Sequence, residues 1–407
     1  DSTTSKDSTT SKDSTTSKDS TTSKDSSLSK DTSPKPSLLH KSVAAEAAAS
    51  VEQNKHVGDI RLKLRYLNES ILPMLSYLPL LNLLVDPKLH LVQAMETLPG
   101  GGAKLEMVAH TLARIFHSKG MILHVFKNVT AKEIECTQSA ETIFRGNSIG
   151  TKLIDVYMKM VALQYLHVTL RPLIERVYNM KKSLEIDPSK ADNLKAEDIE
   201  KNRAALQDLA TDFIQAIFTS VDRCPNVLTA IFAQLRKKVE HTFAKDPSLM
   251  VVRYTVVSSF LFLRFFVPAI LNPKLFDLMP HFASEKPART LTLVAKVVQN
   301  LANLVEFGEK ESFMIPLNPF IKENIPRMEK FLTTVSTQQE AGVSHSESHE
   351  KIWLEKELAG VHRHLKENYD YILGHCHDEF KEPFQQTMEQ LTKDEQRLKA
   401  KHELTNT

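Results

Sequence analysis

Cysteine is scarce in this chain of 407 residues, which contains three. Cys136, Cys224 and Cys376 are far apart in the sequence, so they do not form the disulfide frame typical of a small secreted domain. We therefore expect a reducing compartment and predict a cytoplasmic location.

Glycine is also uncommon, with 11 residues, and neither sign of charge dominates, since 52 basic side chains stand against 50 acidic ones. Little glycine together with much Leu, Ala, Lys and Glu favours helices over sheets. The balanced charge provides no field that attracts nucleic acid or an anionic membrane surface. The composition predicts an all-α protein without a nucleic-acid partner.

An uninterrupted apolar run of membrane-spanning length is missing too. The most apolar stretch, Val251 to Pro273, carries a charge at Arg264 and is too interrupted for a span, which needs about 20 predominantly apolar residues. Apolar residues cover nearly every face from Thr255 to Phe266, which predicts a helix buried in a large helical core. Pro268 is expected to disrupt its hydrogen-bond pattern, with a loop starting at Asn272.

Composition divides the chain into five regions. Residues 1–40 begin with four copies of DSTTSK and hold no apolar side chain before Leu28, so we predict a disordered tail that serves as a spacer or a phosphorylatable segment. We further predict a linker over 41–70 with one extended segment, a helical domain over 71–336, a polar linker over 337–348 and a helical extension over 349–407.

Histidines cluster late in the chain and raise the question of a metal site. The cluster consists of His345, His349, His362, His364, His375, Cys376 and His377. Zinc sites built on sequence neighbours need paired cysteines or an HExxH helix, and neither spacing occurs here. We therefore predict no metal.

The start of the longest predicted helix carries several local signals. Ser148 is a good N-cap for a helix that runs to about Tyr178, and Thr130 with Glu133 fits a capping box of an earlier helix. In the loop before Ser148, Gly146 frees the backbone and Asn147 tolerates unusual dihedral angles.

Two arginines stand out in this pattern. Arg145 precedes a helix N-terminus, where the backbone favours anions, although an arginine in a loop is usually only a solvated surface residue. Arg264 stays ionised inside an apolar helix, so it needs acceptors nearby. For Arg264 the structural alternatives are a core carboxylate partner or a side chain that reaches the surface.

Three motifs in order resemble the Ras GTPase-activating protein (RasGAP) family. They are FRGNS at 144–148, called the finger loop below, FLRFFVPAI at 262–270 and KVVQNLANLVEFGEK at 296–310. The resemblance covers roughly 59–336 and is nearest the branch that carries C-two and pleckstrin-homology domains. It implies a single elongated multi-helix domain, and the extended segment within 41–70 resembles the last strand of a C-two domain.

The resemblance implies an activator of GTP hydrolysis by Ras-type small GTPases in their GTP-bound state, which terminates Ras signalling. Arg145 is then an arginine finger inserted in trans, and Arg264 stabilises the finger loop through its carbonyls. GTP and Mg²⁺ belong to the partner, so we expect no cofactor and no enzymatic step on this chain itself. Membrane contact is expected only through missing or neighbouring domains, at the inner face of the plasma membrane.

The resemblance also implies a set of GTPase-binding residues. They are Phe144, Gly146, Asn147, Lys152, Leu263, Pro268, Asn272, Gln299, Asn303, Lys310 and Glu311. For the polar pair on the 296–310 helix, an ordinary solvated face is the alternative. Ile149-Gly150 departs from the Leu-Ala-like pair of many relatives, and Gly150 costs about 1 kcal/mol of helix propensity.

Two other functions stay open at this point. A non-catalytic scaffold with the same fold would bind the GTPase and leave its GTP intact, but such relatives generally lack the finger arginine, so Arg145 disfavours this alternative. Some members of the branch also act on Rap, so an activator of both Ras and Rap is the second alternative.

Overall fold

The computed structural model describes residues 71–96, 98, 102–136, 143–190, 195–337 and 352–405. These residues are largely helical and include no strand, which confirms the all-α prediction. The predicted tail over 1–40, the linker over 41–70 and most of the linker over 337–348 lie outside the described residues. The domain boundaries stay predictions.

The α-helices follow one another with short connections. In chain order they are α1 (Met74–Leu84), α2 (His90–Glu96), α3 (Gly102–Ser118), α4 (Ile122–Cys136), α5 (Ile149–Tyr178), α6 (Ala196–Phe218), α7 (Asn226–Thr242), α8 (Val252–Leu261), α9 (Val267–Leu271), α10 (Glu285–Ala302), α11 (Asn318–Val335), α12 (Leu354–Glu367), α13 (Tyr369–His375) and α14 (Asp378–Thr405). Short 3₁₀ turns are Pro188–Lys190, Val221–Arg223, Pro247–Val251, Pro273–Phe276 and Glu309–Leu317.

Helix α5 lies at the centre of the packing. It contacts α3 and α4 on one side and α6 and α10 on the other. Apolar side chains are buried along its whole length, from Ile149 to Val177, because a central helix must cover several neighbours at once. Its predicted end at Tyr178 is confirmed, and Ser148 is its N-cap as predicted.

A second central rod consists of α8, a π turn at Phe262–Phe266 and α9. Helix α8 packs against α7 and α11, whereas α9 packs against α10. The expectation that this stretch is too interrupted for a span is wrong, because Leu249–Leu271 is long and apolar enough to cross a membrane by length and composition. However, 61% of its 18-residue apolar window is buried inside the protein. The prediction of a buried core helix is therefore confirmed.

The predicted disruption at Pro268 is present as the π turn Phe262–Phe266 just before it, but it does not end the rod. The rod continues through Pro268 to Leu271, because the proline occupies the first turn of α9, where a missing N–H is tolerated. The wide turn just before it is closed by a bond from the Val267 N–H to the Phe262 carbonyl. Asn272 ends the rod as expected.

The last helices of the chain pack on its first ones. Helix α12 contacts α1 and α3, α13 contacts α2, and α14 contacts α1. The helical extension predicted over 349–407 is divided at Asn368, which separates α12 from α13. The Asn368 side chain donates to the His364 carbonyl at 2.8 Å and so replaces a lost helical bond at the break.

Candidate functional site

The finger loop is anchored by the residue before its arginine. Phe144 is fully buried, and its ring lies against Phe260 with ring centroids 4.9 Å apart. Its backbone has a φ of 57°, which is uncommon for a bulky side chain, and its N–H donates to the Glu133 carboxylate. Because Phe144 points into the core, the chain turns outward at Arg145.

Arg145 is exposed, as are the next two residues of the loop. Within the part of the chain that the structure describes, its guanidinium makes neither an ion pair nor a hydrogen bond. A cation that has no internal partner keeps its full hydrogen-bonding capacity for a ligand.

The unusual backbone angle lies elsewhere than expected. Gly146 and Asn147 were expected to tolerate such an angle, but the left-handed residue of the loop is Phe144. A Cβ added to Gly146 would meet nothing within 4 Å, so neither dihedral angle nor space requires glycine there. What the loop uses is the Gly146 carbonyl, which accepts from Thr151 Oγ1 at 3.1 Å.

Ser148 joins the loop to α5 through two contacts. Its side chain accepts from the Thr151 N–H at 3.1 Å, as an N-cap does, and its hydroxyl donates to the Glu133 carboxylate. The predicted capping box is wrong, because Thr130 lies inside α4 and donates to the Phe126 carbonyl at 2.5 Å. Glu133 therefore serves the finger loop rather than its own helix.

Gly150 has a physical role that sequence reasoning missed. A Cβ at this position would lie 3.3 Å from Glu133 Oε2 and 3.5 Å from Val129 Cγ2. Glycine thus lets the first turn of α5 approach the carboxylate that holds the loop. The departure from the family pair is compatible with a rigid finger loop.

Arg264 reaches from the π turn to the finger loop. Its Nη2 donates to the Gly146 carbonyl at 3.4 Å, and its Nη1 donates to the Ser259 carbonyl at 3.3 Å. Its guanidinium also lies 5.6 Å from the centre of the Phe260 ring, the ring on which Phe144 packs. One side chain therefore links the rod, the loop carbonyl and the aromatic anchor.

Two carboxyl groups neighbour Arg264. Burial raises the pKa of Glu133 and of Asp155, and in both cases the charge of Arg264 opposes that rise. Burial lowers the pKa of Arg264, while Asp155 and Glu133 act in the opposite direction. Arg264 is thus a partly buried cation that interacts with two carboxyl groups, whereas Arg145 on the loop it supports is an exposed cation.

The remaining predicted site residues lie on four elements. Lys152 on α5 pairs with Glu106 at 3.7 Å. On the rod, Leu263 and Asn272 are exposed and Pro268 is half-buried.

The third motif ends α10. Asn303 is the C-cap, and its N–H donates to the Gln299 carbonyl at 3.0 Å. Lys310 is exposed, and Glu311 pairs with Lys296. Bonds between described residues join the finger loop to Arg264, and none of them joins it to this motif.

The sequence did not predict Glu133, Thr151 and Asp155 as residues of this site. Thr151 and Asp155 share a face of α5 at a spacing of one turn, which is a signal that could have been used. Glu133 gave a misleading signal, since its spacing from Thr130 fits a cap that does not form.

Comparison with known proteins gives a consistent result. Residues 125–198 and 192–303 match a family model described as GTPase-activator protein for Ras-like GTPase. The chain is 46% identical over 310 residues to a probable Ras GTPase-activating-like protein, ngap, of Dictyostelium discoideum, covering 76% of this chain and 34% of the relative.

Two animal proteins are also similar. Ras GTPase-activating protein 1 of Rattus norvegicus is 37% identical over 305 residues, covering 75% of this chain and 28% of the relative. A GTPase-activating protein of Drosophila melanogaster is 38% identical over 314 residues, covering 75% and 27%. The chain thus spans about a third or less of the length of these curated relatives.

Proposed function

This chain belongs to the Ras GTPase-activating protein family, and we propose that it stimulates GTP hydrolysis by a Ras-type small GTPase. Arg145 is the residue that enters the partner's active site. The observation that carries the proposal is an exposed guanidinium without a partner among the described residues, on a loop held by the buried Phe144 ring on one side and by the Ser148 cap and Arg264 on the other.

The chemistry follows from charge. Hydrolysis of GTP places negative charge on the transferred phosphoryl group in the transition state, and a guanidinium there stabilises that charge. For GTPase-activating proteins as a class, an arginine supplied in trans is associated with a rate gain of about 10³–10⁵. GTP and Mg²⁺ come with the partner.

Pre-organisation is the contribution of the surrounding residues. Phe144 fixes one end of the finger loop in the core, and Ser148 fixes the other end on α5. Arg264 holds the carbonyl between them. An ordered loop reduces the entropy lost when the complex forms, so binding free energy remains for positioning the arginine.

We propose that the partner is contacted over a wider surface around the finger. Its members are Gly146, Asn147, Lys152, Leu263, Pro268, Asn272, Gln299, Asn303, Lys310 and Glu311. Phe144 was predicted among them, but it is fully buried and supports the surface from the core instead. Exposure of Leu263, Asn272 and Lys310 supports their part in this surface. The GTP-bound state of the partner and a cytoplasmic place of action, with recruitment to the plasma membrane by other domains, belong to the same proposal.

Single-turnover GTP hydrolysis on a Ras GTPase tests the central claim. We expect wild type to accelerate hydrolysis and Arg145→Ala to lose nearly all of the acceleration while keeping much of its binding. Arg145→Lys should fail as well, because an ammonium lacks the planar fork of donors. Arg397→Ala is the matched control, since Arg397 is an exposed arginine on α14 whose ion pair within the described ranges is with Asp394 on the same helix.

The outcomes separate the alternatives. Full activity of Arg145→Ala would refute the finger assignment. If wild type binds the GTPase without acceleration, the chain is a scaffold. The same assay with a Rap GTPase decides whether the chain acts on both partners.

A further inference from the structure

Three side chains that can bind a metal meet far from the finger loop. His90 lies at the start of α2, His377 just precedes α14, and Glu379 lies in the first turn of α14. One ligand atom of each lies within 4.8 Å of the others. The prediction of no metal rested on sequence spacing, which could not find this group because His90 is far upstream of the late histidine cluster.

The separations fit a small divalent cation. His90 Nε2 is 3.6 Å from Glu379 Oε1, and His377 Nδ1 is 3.7 Å from the same oxygen. Tetrahedral zinc with bonds of about 2.0–2.1 Å places its ligands about 3.3 Å apart. Small side-chain rotations at two exposed residues therefore complete the geometry.

His90, the least exposed of the three, is already oriented for a metal. Asp86 Oδ2 lies 2.8 Å from His90 Nδ1, and the same oxygen accepts from the Lys88 N–H at 3.1 Å. The carboxylate fixes the proton on Nδ1, which leaves the Nε2 lone pair facing His377 and Glu379. A carboxylate behind a histidine ligand is a recurring arrangement at zinc sites.

A lysine competes for the same carboxylate. Lys88 Nζ lies 3.3 Å from Glu379 Oε1, and both side chains are largely exposed. An exposed ion pair contributes little free energy, so a divalent ion with three ligands can displace the ammonium. Removal of the Lys88 ammonium should therefore increase zinc affinity, whereas removal of a ligand should decrease it.

We propose that His90, His377 and Glu379 bind a zinc ion, with water at the fourth position. The ion connects α2 to the start of α14 and so fastens the last helices of the chain onto its first ones. Two imidazoles and one carboxylate are a ligand set that zinc uses in proteins. The proposal is independent of GTPase activation.

Calorimetric titration of the metal-free, untagged chain with zinc chloride tests this site. We expect one ion per chain in wild type and a loss of affinity of at least about tenfold in His377→Ala and in Glu379→Ala. Both residues are exposed, so the variants should fold. His375→Ala is the matched control, because His375 is a nearby exposed histidine that bonds the Tyr371 carbonyl instead.

Two further measurements make the result specific. Lys88→Met should bind zinc more tightly than wild type, since it removes the competing cation. Zinc should raise the melting temperature of wild type and not that of His377→Ala. Wild type without zinc binding, or equal affinity in wild type, His377→Ala and Glu379→Ala, would overturn the proposal.

Discussion

Two arginines of the same core have opposite kinds of partner. Arg289 on α10 donates Nε and Nη2 to the Glu185 carboxylate at 2.6 and 2.8 Å. Among the described residues, Arg264 donates hydrogen bonds to two carbonyls, at 3.3 and 3.4 Å. Glu185 raises the pKa of Arg289, whereas burial lowers that of Arg264.

Arg289 is held by two short bonds to one carboxylate, whereas Arg264 supports a loop through longer bonds to carbonyls. The guanidinium of Arg289 is satisfied by a bidentate partner, which gives strength and fixed geometry. Arg264 holds the Gly146 carbonyl by a single long bond, which contributes less strength than the two short bonds of Arg289. We therefore expect Arg264 to contribute less to the free energy of unfolding than Arg289 and more to function.

Activity should show the largest contrast. Arg264→Ala releases the finger-loop carbonyl, and misplacement of a catalytic group by about 1 Å can cost about 10²-fold in rate. Arg289→Ala should keep the wild-type rate per folded molecule. Single-turnover hydrolysis with both variants measures this. Equal losses of rate in the two variants would show that Arg264 has no special role in activity.

Stability should rank the two arginines in reverse. Arg289→Ala leaves the buried Glu185 carboxylate without its fork and should cost about 2–3 kcal/mol of unfolding free energy. Arg264→Ala should cost about 1 kcal/mol, because its bonds are long and its head is partly solvated. Urea unfolding of both variants measures the difference, and a larger loss for Arg264→Ala would reverse the comparison.

Ser148 tests the other end of the finger loop. Ser148→Ala removes the N-cap of α5 and the hydroxyl that donates to Glu133. We therefore expect the free energy of unfolding to fall by about 1 kcal/mol. Ser148→Asn can keep the cap and should recover most of that loss. Urea unfolding of the two variants checks this, and equal destabilisation would argue against the cap as the cause.

The carboxyls of the two regions should respond oppositely to pH. Burial alone would raise the pKa of Glu185, but bonds from Arg289 and the Asp187 N–H bring it below 4.5. The stability that it contributes is therefore present above about pH 4.5 and is lost in acid. Burial raises the pKa of Glu133 above 4.5, so its contribution is present below that value and is lost as the pH rises.

Unfolding curves between about pH 3.5 and 6.5 measure these two contributions. The advantage of wild type over Glu185→Gln should shrink towards acid, and its advantage over Glu133→Gln should grow. Parallel curves for all three proteins would mean that neither carboxyl has a shifted pKa in the folded state.

Much of the fold could be predicted because its signals are local. Ser148 as a cap and the end of α5 near Tyr178 depend on residues close in sequence, and the structure confirms both. The rod was recognised from its apolar composition. Its passage through Pro268 was not, because a π turn depends on packing around it rather than on propensity.

The site was predictable where a motif names a residue and not where a distant contact decides. Phe144, Arg145 and Arg264 belong to the motifs, and the Arg264–Gly146 bond was expected from them. The roles of Glu133 and Gly150 depend on contact between α4 and α5, which no pattern within one helix encodes. The proximity of His90 to His377 was not predicted either, because it too depends on contact between distant parts of the chain.

The π turn at Phe262–Phe266 also changes the winding of the rod. An α-helix rotates by about 100° per residue, so one residue more in a single turn offsets the two halves of the rod by about that angle. The half before the turn faces α7 and α11, and the half after it faces α10. Arg264 stands at this seam, and its direction towards the finger loop is set by the change of rotation rather than by the side chain alone.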